Sequence, residues 1–162
     1  MRVRLPHYLA FASCFLLLLA FVIATANRSG FQSELAAVIR AAVDDGTRQF
    51  RLDTCVKGAW ETVYVVSPYS DINQISTLIG CSPHELRGSE IEKSDSVCLL
   101  VFSKGSNVVM HVDCPRRIID FIKIQTKGIH RKNATFDIEL TPDGWRYALQ
   151  LSSQGLSPPA AN

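Results

Sequence analysis

Four of the five cysteines are the residues of this 162-residue chain with the clearest capacity for covalent chemistry. They follow an apolar amino-terminal segment at intervals of 26, 17 and 16 residues: Cys55, Cys81, Cys98 and Cys114. An even number of cysteines in an exported chain indicates disulfides. The Cys-x-x-Cys pairs typical of zinc and thioredoxin-like redox sites do not occur. The sequence therefore predicts two disulfides.

The hairpin predicted from strands over 97–103 and 108–114 suggests which cysteines form disulfides. A three-residue loop, Gly105 to Asn107, would place Cys98 directly opposite Cys114, whereas a two-residue loop would put them on opposite faces. The helix predicted over 72–79 would run back along the strand predicted over 60–66 and so bring Cys81 near Cys55. We predict the pairs Cys55–Cys81 and Cys98–Cys114, one of the three pairings that four cysteines permit.

A locally basic segment offers binding chemistry. Between positions 116 and 132 it contains one acid, Asp120, and six cations: Arg116, Arg117, Lys123, Lys127, Arg131 and Lys132. On an exported domain these residues could bind anionic lipid headgroups, acidic wall polymers or an acidic protein of the envelope. The alternative is a solvated face that balances the acidic loop at 85–95.

No constellation of residues specifies a reaction. Nucleophilic catalysis needs a serine or cysteine, a base and an orienting group, yet no Gly-x-Ser-x-Gly motif occurs and the cysteines are assigned to disulfides. His84, His111 and His130 have no second ligand at metal spacing. We therefore predict no catalytic residue, no metal and no cofactor. The side chains whose convergence in a deep pocket would instead favour an enzyme are His111, Arg116, Arg117 and Glu61.

The overall charge argues against a nucleic-acid partner. All 15 acidic residues, and 15 of the 17 Lys and Arg (17 minus Arg2 and Arg4), follow residue 26, so this part of the chain is formally neutral. Nucleic-acid binding draws most of its affinity from the neutralisation of phosphates, which requires an excess of cations. We predict no nucleic-acid binding.

The amino terminus predicts export. Arg2 and Arg4 precede 19 uncharged residues, 8–26, and Ala24–Ala26 supplies the small-x-small pattern that signal peptidases cleave. Cleavage after Ala26 would release the rest of the chain outside the cytoplasm. Because a helix of roughly 20 apolar residues spans a bilayer, the same segment could remain as an inner-membrane anchor with a cytoplasmic amino terminus. Both outcomes place the rest of the chain in the periplasm or envelope, or outside the cell.

The remaining chain predicts one α+β domain over 27–151, followed by a disordered tail, 152–162, that has little to bury. Apolar spacing predicts helices over 29–46 and 72–79, with Ser70 as the N-cap of the second and Gly46 and Gly80 as stops. Alternation and turn residues predict strands near Phe50 and over 60–66, 97–103, 108–114, 134–140 and 145–151, while 116–124 favours a strand at its end. These elements indicate a mostly antiparallel sheet of about six strands covered by two helices and preceded by the hydrophobic export helix.

The segment over 60–69, which contains the strand predicted over 60–66, carries a resemblance. Its sequence, WETVYVVSPY, precedes a short helix and a hairpin. The segment from Phe50 to Phe121 resembles a loosely defined group of small exported bacterial proteins and lipoproteins with a Trp-acid-x-Val-Tyr-Val-x-x-Pro-Tyr strand. The group has no assigned activity, so the resemblance implies a small exported bacterial α+β domain and no catalytic residue. The four cysteines, and the absence of a lipobox around Cys14, depart from the group.

These patterns together predict a non-enzymatic protein of the bacterial envelope or periplasm that acts as a binding or structural module. A small exported enzyme or enzyme inhibitor is the alternative. It would need side chains converging in a concave pocket.

Overall fold

The computed structural model describes residues 30–125 and 127–151. The export segment predicted over 1–26, its cleavage site after Ala26 and the tail predicted over 152–162 lie outside these residues. Within them, no helix has both the length and the apolar character needed to cross a membrane.

The described residues form an α+β fold, as predicted. Three helices are present: α1 over residues 30–44, α2 over Leu52–Cys55 and α3 over Ile72–Ile79. Short 3₁₀ turns cover Pro83–Leu86 and Arg131–Asn133. The seven strands are β1 (Gln49–Arg51), β2 (Thr62–Val66), β3 (Val97–Lys104), β4 (Asn107–Pro115), β5 (Ile129–His130), β6 (Thr135–Leu140) and β7 (Arg146–Gln150).

The strands belong to two antiparallel sheets, which corrects the prediction of a single sheet. One sheet has the order β1-β6-β7, and the other has the order β4-β3-β2-β5. Both predicted hairpins, β3–β4 and β6–β7, are present. The extra strand β5 and the single turn of α2 raise the totals above the predicted six strands and two helices, because elements of two to four residues are too short for a periodic signal.

The main core lies between α1, the three-stranded sheet and one face of the four-stranded sheet. Aromatic rings fill its centre: Phe50 stacks on Phe136 with centroids 5.4 Å apart, and Phe121 meets Phe136 edge-on at 5.6 Å. Leu35 and Ile39 of α1 are fully buried there, on the apolar stripe that predicted this helix. The two sheets are therefore joined through side chains that alternate inward along each strand.

A second, smaller core lies on the other face of the four-stranded sheet. It packs Leu99 and Val101 of β3 against Ile75 and Ile79 of α3. α3 begins at Asp71, whose carboxylate accepts a hydrogen bond from the Asn73 backbone, rather than at the predicted cap Ser70. It ends at the predicted stop, Gly80, which adopts a left-handed conformation with φ of 80°. β3 is thus buried on both faces, since a helix covers each side of its sheet.

The β3–β4 hairpin reaches the predicted cysteine register by a different route. A two-residue loop, Gly105 and Ser106, replaces the predicted three-residue loop. Val109 then forms a β-bulge, an additional residue without a cross-strand partner, which shifts the register by one position. Cys98 therefore lies directly opposite Cys114, as predicted, although the predicted loop is wrong.

The chain leaves β4 at Pro115, and the segment after it is not the strand that its apolar residues favoured. Arg116 donates its backbone N–H to Ser96 at 2.9 Å, so the neighbouring Val97–Pro115 pair is a non-hydrogen-bonded one. Proline fits there because β4 is an edge strand and loses no ladder bond. Residues 116–124 form turns, and only Asp120 makes a β-bridge, to Tyr147.

Candidate functional site

Asp120 is the buried polar centre of the structure. Its backbone N–H donates to Arg146 at 2.8 Å, and its carbonyl accepts from Ala148 at 2.8 Å, so the residue extends the edge of the three-stranded sheet beside β7. Its side chain has no solvent exposure. A buried carboxylate needs charged or hydrogen-bonded partners, because burial alone disfavours the ionised form.

Hydrogen-bond donors surround the Asp120 carboxylate. Arg116 reaches Oδ2 with Nε at 3.0 Å and Nη2 at 2.7 Å, and the indole N–H of Trp145 reaches the same oxygen at 3.2 Å. The backbone N–H of Ile122 donates to Oδ1 at 3.0 Å. Burial raises the pKa of Asp120, but the hydrogen bonds from Arg116, Ile122 and Trp145 outweigh it, so its pKa lies below the usual value. The site therefore retains a carboxylate at neutral pH.

This buried carboxylate fixes two side chains at the rim of a cleft. Trp145 is 37% exposed, and the Arg116 guanidinium carbon lies 6.0 Å from the centre of its ring. Arg116 also donates from Nη1 to the Asp95 carbonyl at 2.7 Å, and its pKa is raised by the hydrogen bonds to Asp120. The indole and the guanidinium are thus held by hydrogen bonds from behind while part of Trp145 faces solvent.

We call this depression of about 550 Å³ the Trp145 cleft. Its lining residues come from α1, the loop before β3 and the first residue of β3, the end of β4, the turn after it and the residue before β7: Gln32, Glu90, Asp95, Ser96, Val97, Asp113, Pro115, Arg116, Arg117 and Trp145. Three carboxylates and two guanidiniums make the lining mixed in charge, with a net charge of −1. Such a cleft offers donors, acceptors and an aromatic face to one ligand.

Backbone and side-chain bonds hold the acidic wall of the cleft. Asp113 accepts hydrogen bonds from the Ser89 hydroxyl and from the Glu90 backbone, the latter at 3.1 Å. Gln32 of α1 donates to the Asp113 carbonyl at 3.0 Å. The hydroxyl of Ser96 shares a hydrogen bond of 2.7 Å with that of Ser94. No histidine, cysteine or lysine is among the residues that line the cleft, so the only ionisable groups near Ser96 there are carboxylates and guanidiniums.

The structure disperses the predicted basic segment. Arg116 is tied to Asp120, Lys123 pairs with Glu139 and lies 4.3 Å from the Tyr147 ring, and Arg131 lies 4.8 Å from the Trp60 ring. Arg131 also donates to the Gly58 carbonyl at 2.6 Å. The other three members, Arg117, Lys127 and Lys132, are exposed. Half of the predicted patch therefore has internal partners, and only the other half is free to meet a ligand.

The four cysteines are free thiols in the structure. Cys55, Cys98 and Cys114 lie in the main core, whereas Cys81 packs against the second core on the other face of the four-stranded sheet. Burial raises the pKa of Cys98 to about 11 and, with the nearby Cys98 and Asp120, raises that of Cys114 as well. The arrangement brings Cys98 and Cys114 together but leaves Cys55 and Cys81 on opposite faces of a sheet.

We expect peptide mapping of the non-reduced protein, prepared under oxidising conditions, to find Cys98 linked to Cys114. Directly opposed strand residues lie within disulfide reach, at about 5.5 Å between Cα atoms for a hydrogen-bonded pair. A C81A variant is the matched control and should leave this linked peptide unchanged. A Cys55–Cys114 peptide would contradict the register argument, since Cys55 also lies on this face.

The other residues considered from the sequence have separate places. His84 and His130 are exposed, and His111 lies on β4 opposite Val101. Trp60 is buried in the main core, while Tyr69 is 64% exposed with a φ of 60°. Across the described part of the chain, no three His, Cys, Asp or Glu side chains are grouped so that they could hold a metal ion.

The sequence reasoning missed Trp145 as a site residue and treated Asp120 only as an acid within a basic segment. One signal was present, because Arg116 and Asp120 are four residues apart in a segment that follows a proline. Trp145 could not be assigned, since its position beside Asp120 depends on the packing of β7.

No protein-family model, curated protein or solved structure gives a significant match.

Proposed function

We propose that this chain is an exported protein of the bacterial envelope or periplasm that acts as a non-enzymatic binding module through the Trp145 cleft. The observation that carries the proposal is the exposed indole of Trp145, anchored from behind by the buried carboxylate of Asp120 at 3.2 Å. The uncharged segment 8–26 and the Ala24–Ala26 pattern support export. Finding Asn27 or Met1 at the amino terminus of the mature protein distinguishes the released form from the anchored one.

The chemistry of the cleft supports a glycan as the ligand. The apolar C–H face of a pyranose packs on an exposed indole, and carboxylate, amide and guanidinium groups can bind sugar hydroxyls as acceptors and donors. The lining offers these groups in Asp95, Gln32 and Arg117. Its three carboxylates exceed its two guanidiniums, which disfavours a polyanion at this position. An uncharged or weakly charged glycan strand of the envelope fits best.

The test is titration with chitohexaose, an uncharged oligomer of N-acetylglucosamine. Because the chain has two tryptophans and Trp60 is buried, a saturable change in emission would report on Trp145. Calorimetry of W145A should show binding weakened by at least about tenfold, which corresponds to about 1.4 kcal/mol. D95A removes a carboxylate that makes no side-chain hydrogen bond within residues 30–125 and 127–151, and it keeps the backbone carbonyl that accepts from Arg116.

The matched control is Y69A, which removes an exposed aromatic side chain outside the cleft and should bind chitohexaose as the native protein does. Melting curves of each variant separate lost binding from lost folding. Equal binding by the native protein, W145A and D95A would refute the Trp145 cleft as the ligand site.

One observation favours the alternative of a small exported enzyme. The cleft gathers Arg116 and Arg117, two of the side chains whose convergence was expected of an active site, together with three carboxylates. Paired carboxylates are the machinery of glycoside hydrolysis. We expect mass spectrometry of chitohexaose after prolonged incubation to show no cleavage. Cleavage that disappears in E90Q would replace the binding module with a glycosidase.

A further inference from the structure

Three arginines from separate elements meet in a second depression, which we call the arginine groove. Arg40 comes from α1, Arg117 from the turn after β4 and Arg146 from the start of β7. Ala36, Ile39 and Ile118 complete its lining, and the groove has a volume of about 190 Å³. Arg117 also lines the Trp145 cleft, so the two depressions are neighbours.

The positive charge of this groove has no counterpart among the described residues. No acidic side chain lines it, and none of its three arginines belongs to an ion pair or side-chain hydrogen bond in residues 30–125 and 127–151. Asp44, one turn further along α1, does not pair with Arg40. Arg116, by contrast, donates to the Asp120 carboxylate and to the Asp95 carbonyl. The positive charge of the groove is therefore not balanced by nearby described residues as that of Arg116 is.

A buried donor strengthens this point. The Nε–H of Arg146 has almost no solvent exposure and no acceptor within the described residues. Buried N–H groups are nearly always paired with protein, water or ligand, since leaving one unpaired costs free energy. The guanidiniums of Arg40 and Arg117 place two more positive charges in the groove with this donor, and an anion would offset their mutual repulsion. An anionic acceptor would pair with this donor and balance the positive charge of the groove at the same time.

We infer that the arginine groove binds a phosphate group. Planar guanidiniums donate paired N–H groups that match phosphate oxygens, and a tetrahedral phosphate has enough oxygens for three arginines whereas a carboxylate has two. The apolar floor of Ile39 and Ile118 supplies no competing acceptor. This site goes beyond the glycan cleft and has the opposite charge preference. The phosphate belongs either to a lipid headgroup or to a soluble phosphorylated molecule, and the chemistry of recognition is the same.

The experiment titrates inorganic phosphate against chloride at constant ionic strength, with the arginine Nε–H signals followed by NMR. The Arg146 signal should shift saturably in the native protein. In R40Q and in R40Q/R117Q the dissociation constant should rise by about tenfold or more, and the replaced guanidiniums have no ion pair or side-chain hydrogen bond with any residue that the structure describes. Arg40 lies outside the Trp145 cleft, so R40Q should leave chitohexaose binding intact and keeps the two proposals separable.

The control K127A/K132A removes the same charge from two exposed lysines of the predicted basic segment and should change the dissociation constant less than about twofold. Equal weakening in this control, no response to R40Q/R117Q, or no saturable shift of Arg146 would each overturn the proposal. Vesicles of phosphatidylglycerol or phosphatidylcholine identify the source. If the protein binds phosphatidylglycerol vesicles and inorganic phosphate competes with that binding, the ligand is a lipid headgroup. If the protein binds phosphate but not the vesicles, the ligand is a soluble phosphorylated molecule. Both results support the site.

Discussion

Replacement of Asp120 by alanine should lower the free energy of unfolding by about 3–5 kcal/mol, the range measured when one partner of a buried ion pair is removed. The substitution leaves Arg116 partly buried without its carboxylate and removes the acceptor of the Trp145 indole N–H. D120N retains the side-chain volume and isolates the effect of the charge. Urea unfolding at pH 7 measures both losses, and exposed Asp44 provides the control, since D44N should change stability by less than about 0.5 kcal/mol.

The same carboxylate should give stability a distinctive dependence on pH. Its folded-state pKa lies below the ordinary value, so the unfolded chain binds the proton first as the pH falls. The contribution of Asp120 is therefore complete above the unfolded value of about 3.9 and is lost as the pH falls through the lower folded-state pKa. Unfolding curves between pH 2 and pH 7, at roughly one-unit steps, should show a decline at the acid end that is smaller in D120N. An identical decline in both proteins would show that other carboxylates cause it.

The elements that could be predicted are those with local signals. α1 and α3 show an apolar stripe that ends at a glycine, and the two hairpins have turn residues between alternating strands. The division into two sheets has no local signal, because β1 pairs with β6 more than 80 residues later in the chain. The bulge at Val109 has no local sequence signal either. It shifts the register by one position, so Cys98 still lies opposite Cys114 although the predicted loop length was wrong.

Sequence reasoning named only Arg116 and Arg117 as candidate binding residues among the ten residues that line the Trp145 cleft, and it did not predict how they are arranged. Arg116 and Arg117 were identified as cations free to bind a ligand, whereas the structure directs Arg116 inward to Asp120 and leaves Arg117 exposed between two depressions. Arg40 and Arg146 lie outside the basic segment and join Arg117 only through packing of α1 and β7. The arginine groove therefore consists of arginines that are distant in the sequence, and a search for linear runs of charge does not find such a group.

Replacement of Trp60 by alanine should lower the free energy of unfolding by about 3–5 kcal/mol, as for other buried tryptophans and phenylalanines. Trp60 is 2% exposed and meets Phe102 edge-on at 5.1 Å, while its indole N–H donates to the Val56 carbonyl at 3.1 Å. The guanidinium carbon of Arg131 lies 4.8 Å from the centre of the Trp60 ring, and Arg131 also donates a hydrogen bond to the Gly58 carbonyl. The substitution removes the ring, the hydrogen bond and the surface on which Arg131 packs. Urea unfolding measures the loss.

Two further variants determine whether Trp60 acts as a core residue or as an anchor for a partner. W60F keeps most of the ring and loses the indole donor, so it should cost about 1–2 kcal/mol through the unpaired Val56 carbonyl and lost volume. L78A, which truncates a side chain of α3 that is 54% exposed, is the control and should cost less than about 1 kcal/mol. A stable W60A that failed only in ligand binding would contradict the core assignment. Because the WETVYVVSPY segment begins at Trp60, that result would also make this segment, rather than Trp145, the candidate binding region.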